Sequence, residues 1–152
     1  MLTKTSLNAI QALVYLALRD DKHPVAPGEL AKQLGASTTY LSKVNTQLAK
    51  AGIVQAHRGT RGGVTLARRP EDITLRAVVE ACQGQILGDY CAPHDDLEQV
   101  CAFHAAMHEL QQAIINALDN WTLADLAETP LPSPELREQV NCLMARAAQD
   151  AK

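Results

Sequence analysis

Five side chains able to ligate a metal or exchange electrons crowd into eighteen positions of this chain: Cys91, His94, Cys101, His104 and His108. Thiolates are soft ligands and imidazoles borderline ones, and together they suit zinc or an iron–sulfur cluster. Cys101, His104 and His108 stand three and four residues apart, the spacing at which a helix directs all three side chains to one side. Cys91 lies on a preceding loop able to fold back over the start of that helix, where the positive end of the helix favours a charged thiolate. The same spacing suits a core cysteine flanked by histidines on a polar edge, so this stretch alone leaves both readings open. A cysteine near a histidine is also the pairing of a nucleophile with its base. Neither an oxyanion-loop motif nor a third orienting group stands at a recognisable spacing, and an enzyme is not expected. Cys82 and Cys142 fall on apolar faces elsewhere and are expected to be core thiols.

The element that must position the ligands is a long helix expected to start at Asp95 or Asp96, with Leu97, Val100, Leu110, Ile114, Leu118 and Trp121 as its apolar side. So long a helix on a small chain has little of its own subunit left to cover it, which makes it a natural dimerisation element. Residues 89–128 hold eight acidic side chains and no Lys or Arg, so this half should stay away from a polyanion.

Residues 37–69 have the opposite balance. They carry six basic residues, Lys43, Lys50, Arg58, Arg61, Arg68 and Arg69, and no Asp or Glu, in a chain whose formal net charge is −3. An all-basic segment in an acidic protein points to a polyanionic partner. Ser37 is a suitable N-cap for a helix with Leu41, Val44 and Leu48 on one face, and Gly52 supplies a left-handed stop. Two β-prone runs, Ile53 to His57 and Val64 to Ala67, flank a turn containing Gly59, Gly62 and Gly63, which reads as a hairpin wing. Upstream, Leu2 to Leu18 forms an amphipathic first helix, and Pro27 to Leu34 a second that Gly35 closes. Helix, turn and recognition helix with a wing behind them constitute a winged helix-turn-helix. Ser37, Thr38, Thr39, Tyr40 and Lys43 are expected at the major groove of double-stranded DNA, and Arg58 and Arg61 on the wing at phosphates or the minor groove.

The fold class is therefore mainly α with a small β-wing: a winged helix-turn-helix DNA-binding domain at residues 1–83, a cysteine loop and long dimerisation helix at 84–129, and an extension at 130–152 with a late helix from Pro134 to Gln149. At 152 residues and 47% hydrophobic content, the chain can bury a core. It carries neither a run apolar enough to span a membrane nor a signal-peptide pattern, so a cytoplasmic protein with unpaired thiols is expected.

This order of elements, with the Arg-Gly-x-x-Gly-Gly wing at Arg58 to Gly63, the cysteine loop and the closing Trp121-Thr122-Leu123-Ala124-Asp125-Leu126, resembles the Rrf2 family of bacterial repressors over about Met1 to Thr129. That family includes the iron–sulfur assembly regulator IscR and the nitric-oxide sensor NsrR. The resemblance implies a homodimer whose cluster state sets its affinity for promoter DNA. Cys91 matches the first family cysteine, Cys101 the last, and His104 the histidine ligand of the IscR type. The family's middle cysteine has no counterpart here, which leaves the fourth ligand to His94 or to Asp95, Asp96 or Glu98. Fewer cysteines favour a [2Fe–2S] over a [4Fe–4S] cluster. The alternatives are the same regulator without a cofactor, switched by thiol oxidation at Cys91 and Cys101 or by a small molecule, and a structural zinc site at Cys91, Cys101, His104 and His108.

Overall fold

The structure is a computed structural model that describes residues 2–21, 23–60, 62–86 and 99–148. Helix α1 (Lys4–Leu18) runs through its centre, with Ala9, Leu13 and Val14 fully enclosed. It starts two residues later than its apolar stripe suggests, because the Thr3 hydroxyl accepts the Ser6 N–H (3.2 Å) and fixes the cap there. Pro27 opens α2 (Pro27–Leu34) and Gly35, at φ 63°, ends it. Ser37 accepts the Tyr40 N–H at 3.2 Å to start α3 (Thr38–Lys50), and Gly52, at φ 65°, turns the chain out. Leu41, Val44 and Leu48 of α3 are buried.

The wing is an antiparallel pair, β1 (Val54–His57) and β2 (Gly63–Leu66), with Val54 opposite Leu66 and His57 opposite Gly63. Val25, just before α2, exchanges two backbone hydrogen bonds with Val64 (3.0 and 2.9 Å) and so anchors the wing to the helix-turn-helix. The three turn glycines serve different ends. Only Gly59 needs a positive φ (108°). A Cβ on Gly63 would lie 2.3 Å from the Val25 carbonyl oxygen, and one on Gly62 would lie 2.5 Å from that of His57. Both exist so that backbones can touch.

A 3-10 turn at Pro70–Asp72 leads to α4 (Leu75–Gln83), capped by the Thr74 hydroxyl. Helix α5 (Ala102–Asp119) is long, as expected, but it begins at Ala102 rather than at Asp95 or Asp96, which lie outside the described residues. Its far end is tied to α4 by hydrogen bonds from Leu75 N–H to Trp121 O (2.9 Å) and from Leu123 N–H to Ile73 O (2.8 Å), and by the Arg76–Asp119 ion pair (3.1 Å). Thr122 and Asp125 cap α6 (Leu123–Glu128) reciprocally, and the Thr122 hydroxyl and N–H hold the Asp125 carboxylate below its usual pKa range.

The extension does not form the late helix from Pro134 to Gln149. Two single-turn pieces, α7 (Pro134–Arg137) and α8 (Ala145–Ala148), replace it, and Leu136, Val140 and Leu143 are about half exposed. Cys142 is half-buried rather than a core thiol. The end of the extension instead lies across α1 and α2: Ala147 is enclosed, the Arg146 guanidinium donates to Leu34 O (3.1 Å), and the Gln11 amide donates to Leu143 O. These tertiary hydrogen bonds compete successfully with the helical pattern of residues 134–149.

We expect Gly63→Ala to lower the folding stability by about 2 kcal/mol, in the range for overpacking a tight site. Thermal melting would measure it, with Gly52→Ala as a comparison: no neighbouring atom stands within 4 Å of a Cβ there, so only the left-handed φ is strained.

Candidate nucleic-acid interface and thiol site

Ser37 at the cap of α3, Thr38, Thr39 and Lys43 on the helix and Arg58 on the wing turn are all exposed, so five of the seven residues expected at DNA are accessible to solvent. Arg61 lies outside the described residues. Tyr40 departs from expectation. It is half-buried against α1, where its hydroxyl bonds Thr5 Oγ1 (3.1 Å) and accepts from Asn8 Nδ2 (3.4 Å). Its ring braces the recognition helix against α1 rather than facing outward from α3.

The basic segment divides into cations that are occupied and cations that are not. Arg68 donates from Nε to Gly52 O (2.9 Å) and from Nη2 to Ala51 O (2.8 Å), capping the carbonyl end of α3. Arg69 pairs with Asp72 (2.9 Å) and Glu71 (3.3 Å), and the guanidinium beside it holds the Asp72 carboxyl below its usual range. Lys43, Lys50 and Arg58 form no ion pair among the described residues. Counting charge along the sequence could not separate these groups, because what occupies Arg68 is backbone from another element.

Cys101 is exposed and stands at the N-cap of α5, one residue before the helix rather than within it. It therefore does not share a helical stripe with His104 and His108. Its carbonyl accepts the Ala105 N–H (3.1 Å). His104, in the first turn, has its Nδ1 enclosed and without a hydrogen-bond partner among the described residues. His108 is half-buried one turn on. Cys91 and His94 lie outside the described residues, and the described residues by themselves gather no group of three metal ligands. Cys82 is buried in the core as expected, and burial pushes its thiol up to about 11.

Helix α5 carries no buried residue. Phe103 and Trp121, near its two ends, are 58% and 54% exposed. Among the described residues no helix is long and apolar enough to cross a membrane.

Residues 2–129 match the family model of Rrf2, described as an iron-dependent transcriptional regulator. The chain belongs to the Rrf2 family. It is 34% identical over 131 residues to the HTH-type transcriptional regulator NsrR of Geobacillus kaustophilus, covering 84% of this chain and 89% of the relative. Among solved structures it resembles IscR of T. potens (27% identity, TM-score 0.70, covering 86% of this chain and 88% of that one). It equally resembles CymR, the global cysteine regulator of B. subtilis (26% identity, TM-score 0.69, covering 84% and 96%). This Rrf2 protein is accordingly a transcriptional regulator of winged-helix fold and not an enzyme. Residues 130–148, which reach back to α1 and α2, lie beyond the family match.

In this Rrf2 chain the three described cysteines should differ in reactivity. A thiol-specific alkylating reagent applied to native protein at pH 8 is expected to modify Cys101 first, Cys142 more slowly and Cys82 only after denaturation, as read by peptide mass mapping. Prompt labelling of Cys82 would contradict its burial.

Proposed function

We propose that this protein is a homodimeric repressor that binds operator DNA through α3 and the wing, and that an iron–sulfur cluster held partly by Cys101 and His104 controls its affinity. The observation that carries the cluster reading is the pairing of an exposed thiol at the start of α5 with a histidine three residues on whose Nδ1 still lacks a partner among the described residues. Enclosing a ring nitrogen without a partner costs about 1–3 kcal/mol, which ligation or a hydrogen bond would recover. Thiolate and imidazole fit such a cluster, and Cys91 and His94 are the further donors the sequence offers, with [2Fe–2S] favoured over [4Fe–4S]. A bound cluster would supply a redox-active, chemically reactive centre. Two thiol ligands and a histidine at a helix start also admit zinc.

The chain's own residues suggest how the start of α5 could speak to the DNA face. Helix α5 is locked to α4 at its far end by the Arg76–Asp119 pair and the Thr74–Thr122 bridge, and α4 packs against both α1 and α3. A shift of α5 therefore bears on the recognition helix through α4 and, in a dimer built on α5, on the separation of the two recognition helices. The lack of any fully buried residue on α5 within this one chain and its exposed Phe103 support that dimer. A second reading, a cofactor-free thiol switch at Cys91 and Cys101, is favoured by the exposure of Cys101 and the likeness to the cysteine regulator CymR.

Visible absorption with iron and sulfide analysis on protein purified without oxygen would separate these readings. Brown protein with acid-labile sulfide, bleached in Cys91→Ala, Cys101→Ala and His104→Ala, is expected. Colourless protein with zinc would support a structural site, and colourless metal-free protein whose operator binding follows added oxidant would support the thiol switch. For the DNA face, Arg58→Ala should weaken binding to every sequence and lower the salt slope by about one. Thr39→Ala and Lys43→Ala should instead alter sequence preference, as competition binding between operator variants would show.

A further inference from the structure

Asn45 occupies a buried position of α3, between Val44 and the exposed Thr46, and is only 6% exposed. Its Nδ2 has no hydrogen-bond partner among the described residues. A helix whose other enclosed positions are Leu41, Val44 and Leu48 gains nothing in stability from an unpaired amide there; leucine would pack without the desolvation cost. The position is also not isolated. Asn45 lines a cleft of about 660 Å³ between α3, Pro27 at the start of α2 and the wing, whose polar lining is Ser42, Thr46 and Lys50 on the helix side and His57 on the wing side, among small and apolar residues. No carboxylate lines it among the described residues, and Lys50 is exposed and unpaired at its edge. Ser42 and Thr46 spend their hydroxyl protons on Thr38 O (2.9 Å) and Ser42 O (2.8 Å), which aligns them along the helix and leaves their oxygens to accept. His57 is held at 2.9 Å by Thr65 Oγ1.

We infer that this cleft receives a phosphate of the DNA backbone, with the Asn45 amide and the Lys50 ammonium as its donors. The inference rests on the reading of α3 and the wing as the DNA-binding face, and it extends that face from Ser37–Lys43 to the second half of the recognition helix. A backbone strand must pass between an α3 in the major groove and a wing reaching the neighbouring minor groove, and the cleft lies between those two elements. A half turn about χ2 exchanges Oδ1 and Nδ2 at little steric cost, so the amide can turn its N–H outward when an anionic oxygen arrives. The unpaired amide is then a group kept for the complex at the expense of the free protein.

The test is a comparison of full-length wild type, Asn45→Leu, Lys50→Gln and Arg58→Ala in thermal melting and in binding to operator duplex over a range of salt. Asn45→Leu is expected to melt higher than wild type and yet to bind all duplexes about tenfold more weakly, as loss of a hydrogen bond to a charged group implies. Lys50→Gln, an exposed change that leaves the core alone, should weaken binding and lower the salt slope by about one. Replacing single phosphates by uncharged methylphosphonates should locate one position where the wild type loses affinity and Asn45→Leu loses no more. If Asn45→Leu and Lys50→Gln both bind like wild type while Arg58→Ala does not, the cleft holds no phosphate and the inference falls. Should Asn45→Leu fail to fold, Lys50→Gln with the methylphosphonate series decides alone. Wild type that binds no duplex at any salt would overturn the DNA-binding reading itself.

Discussion

Helix α1 is enclosed on nearly every side, and the rest of the molecule is arranged to keep it so. Helices α2, α3, α4, α6 and α8 and strand β2 all pack against it. A helix hydrophobic around most of its circumference cannot stand at a surface. Its polar interruptions are each satisfied by a distant segment: Ser6 by the Gln83 side chain (2.6 Å) and Gln11 by the Leu143 carbonyl. Because the same helix touches α3, the wing and α4, the elements proposed to meet DNA and the helix that leads into the cysteine region share one support. The C-terminal extension belongs to this support as well, since Ala147 and Arg146 close the gap between α1 and the end of α2.

Charge is segregated along the chain. The residues of α3 and the wing are basic, whereas α5 and its flanks carry only acids. Yet the number of cations available to a polyanion is smaller than the sequence count. Arg68 and Arg69 are engaged by α3 carbonyls and by Asp72, and their contribution is to hold the C-terminal end of the recognition helix and the connector in place. Among the described residues the cations left without an ion pair, Lys43, Lys50 and Arg58, are spread over the helix and the wing turn.

The Cys101 and His104 pair illustrates a tension between local and global requirements. An N-cap position favours Ser, Thr, Asp or Asn, whose oxygen satisfies a free N–H. Cys101 makes no such side-chain bond. Together with His104, whose Nδ1 has no partner among the described residues, it marks the start of α5 as a place where local stability has been given up, which is where functional groups tend to be found. Asn45 in α3, whose Nδ2 has no partner among the described residues, is a second such place.

By itself the sequence determined the elements whose signals are local. The cap at Ser37, the proline start of α2, the glycine stops at 35 and 52, the wing turn and the winged-helix order all follow from side chains acting within a few residues of themselves, and the structure keeps each of them. What the tertiary structure decided depends on partners far away in the chain. The inward turn of Tyr40 is set by Thr5 and Asn8, the role of Arg68 by the end of α3, and the broken path of residues 134–148 by α1 and α2. The start of α5 at Ala102 was likewise not written in its apolar spacing, which continues upstream through Leu97 and Val100. Periodicity records which residues prefer a helix, but hydrogen bonds and burial against distant segments choose where it stops and which side chains remain free to meet a ligand.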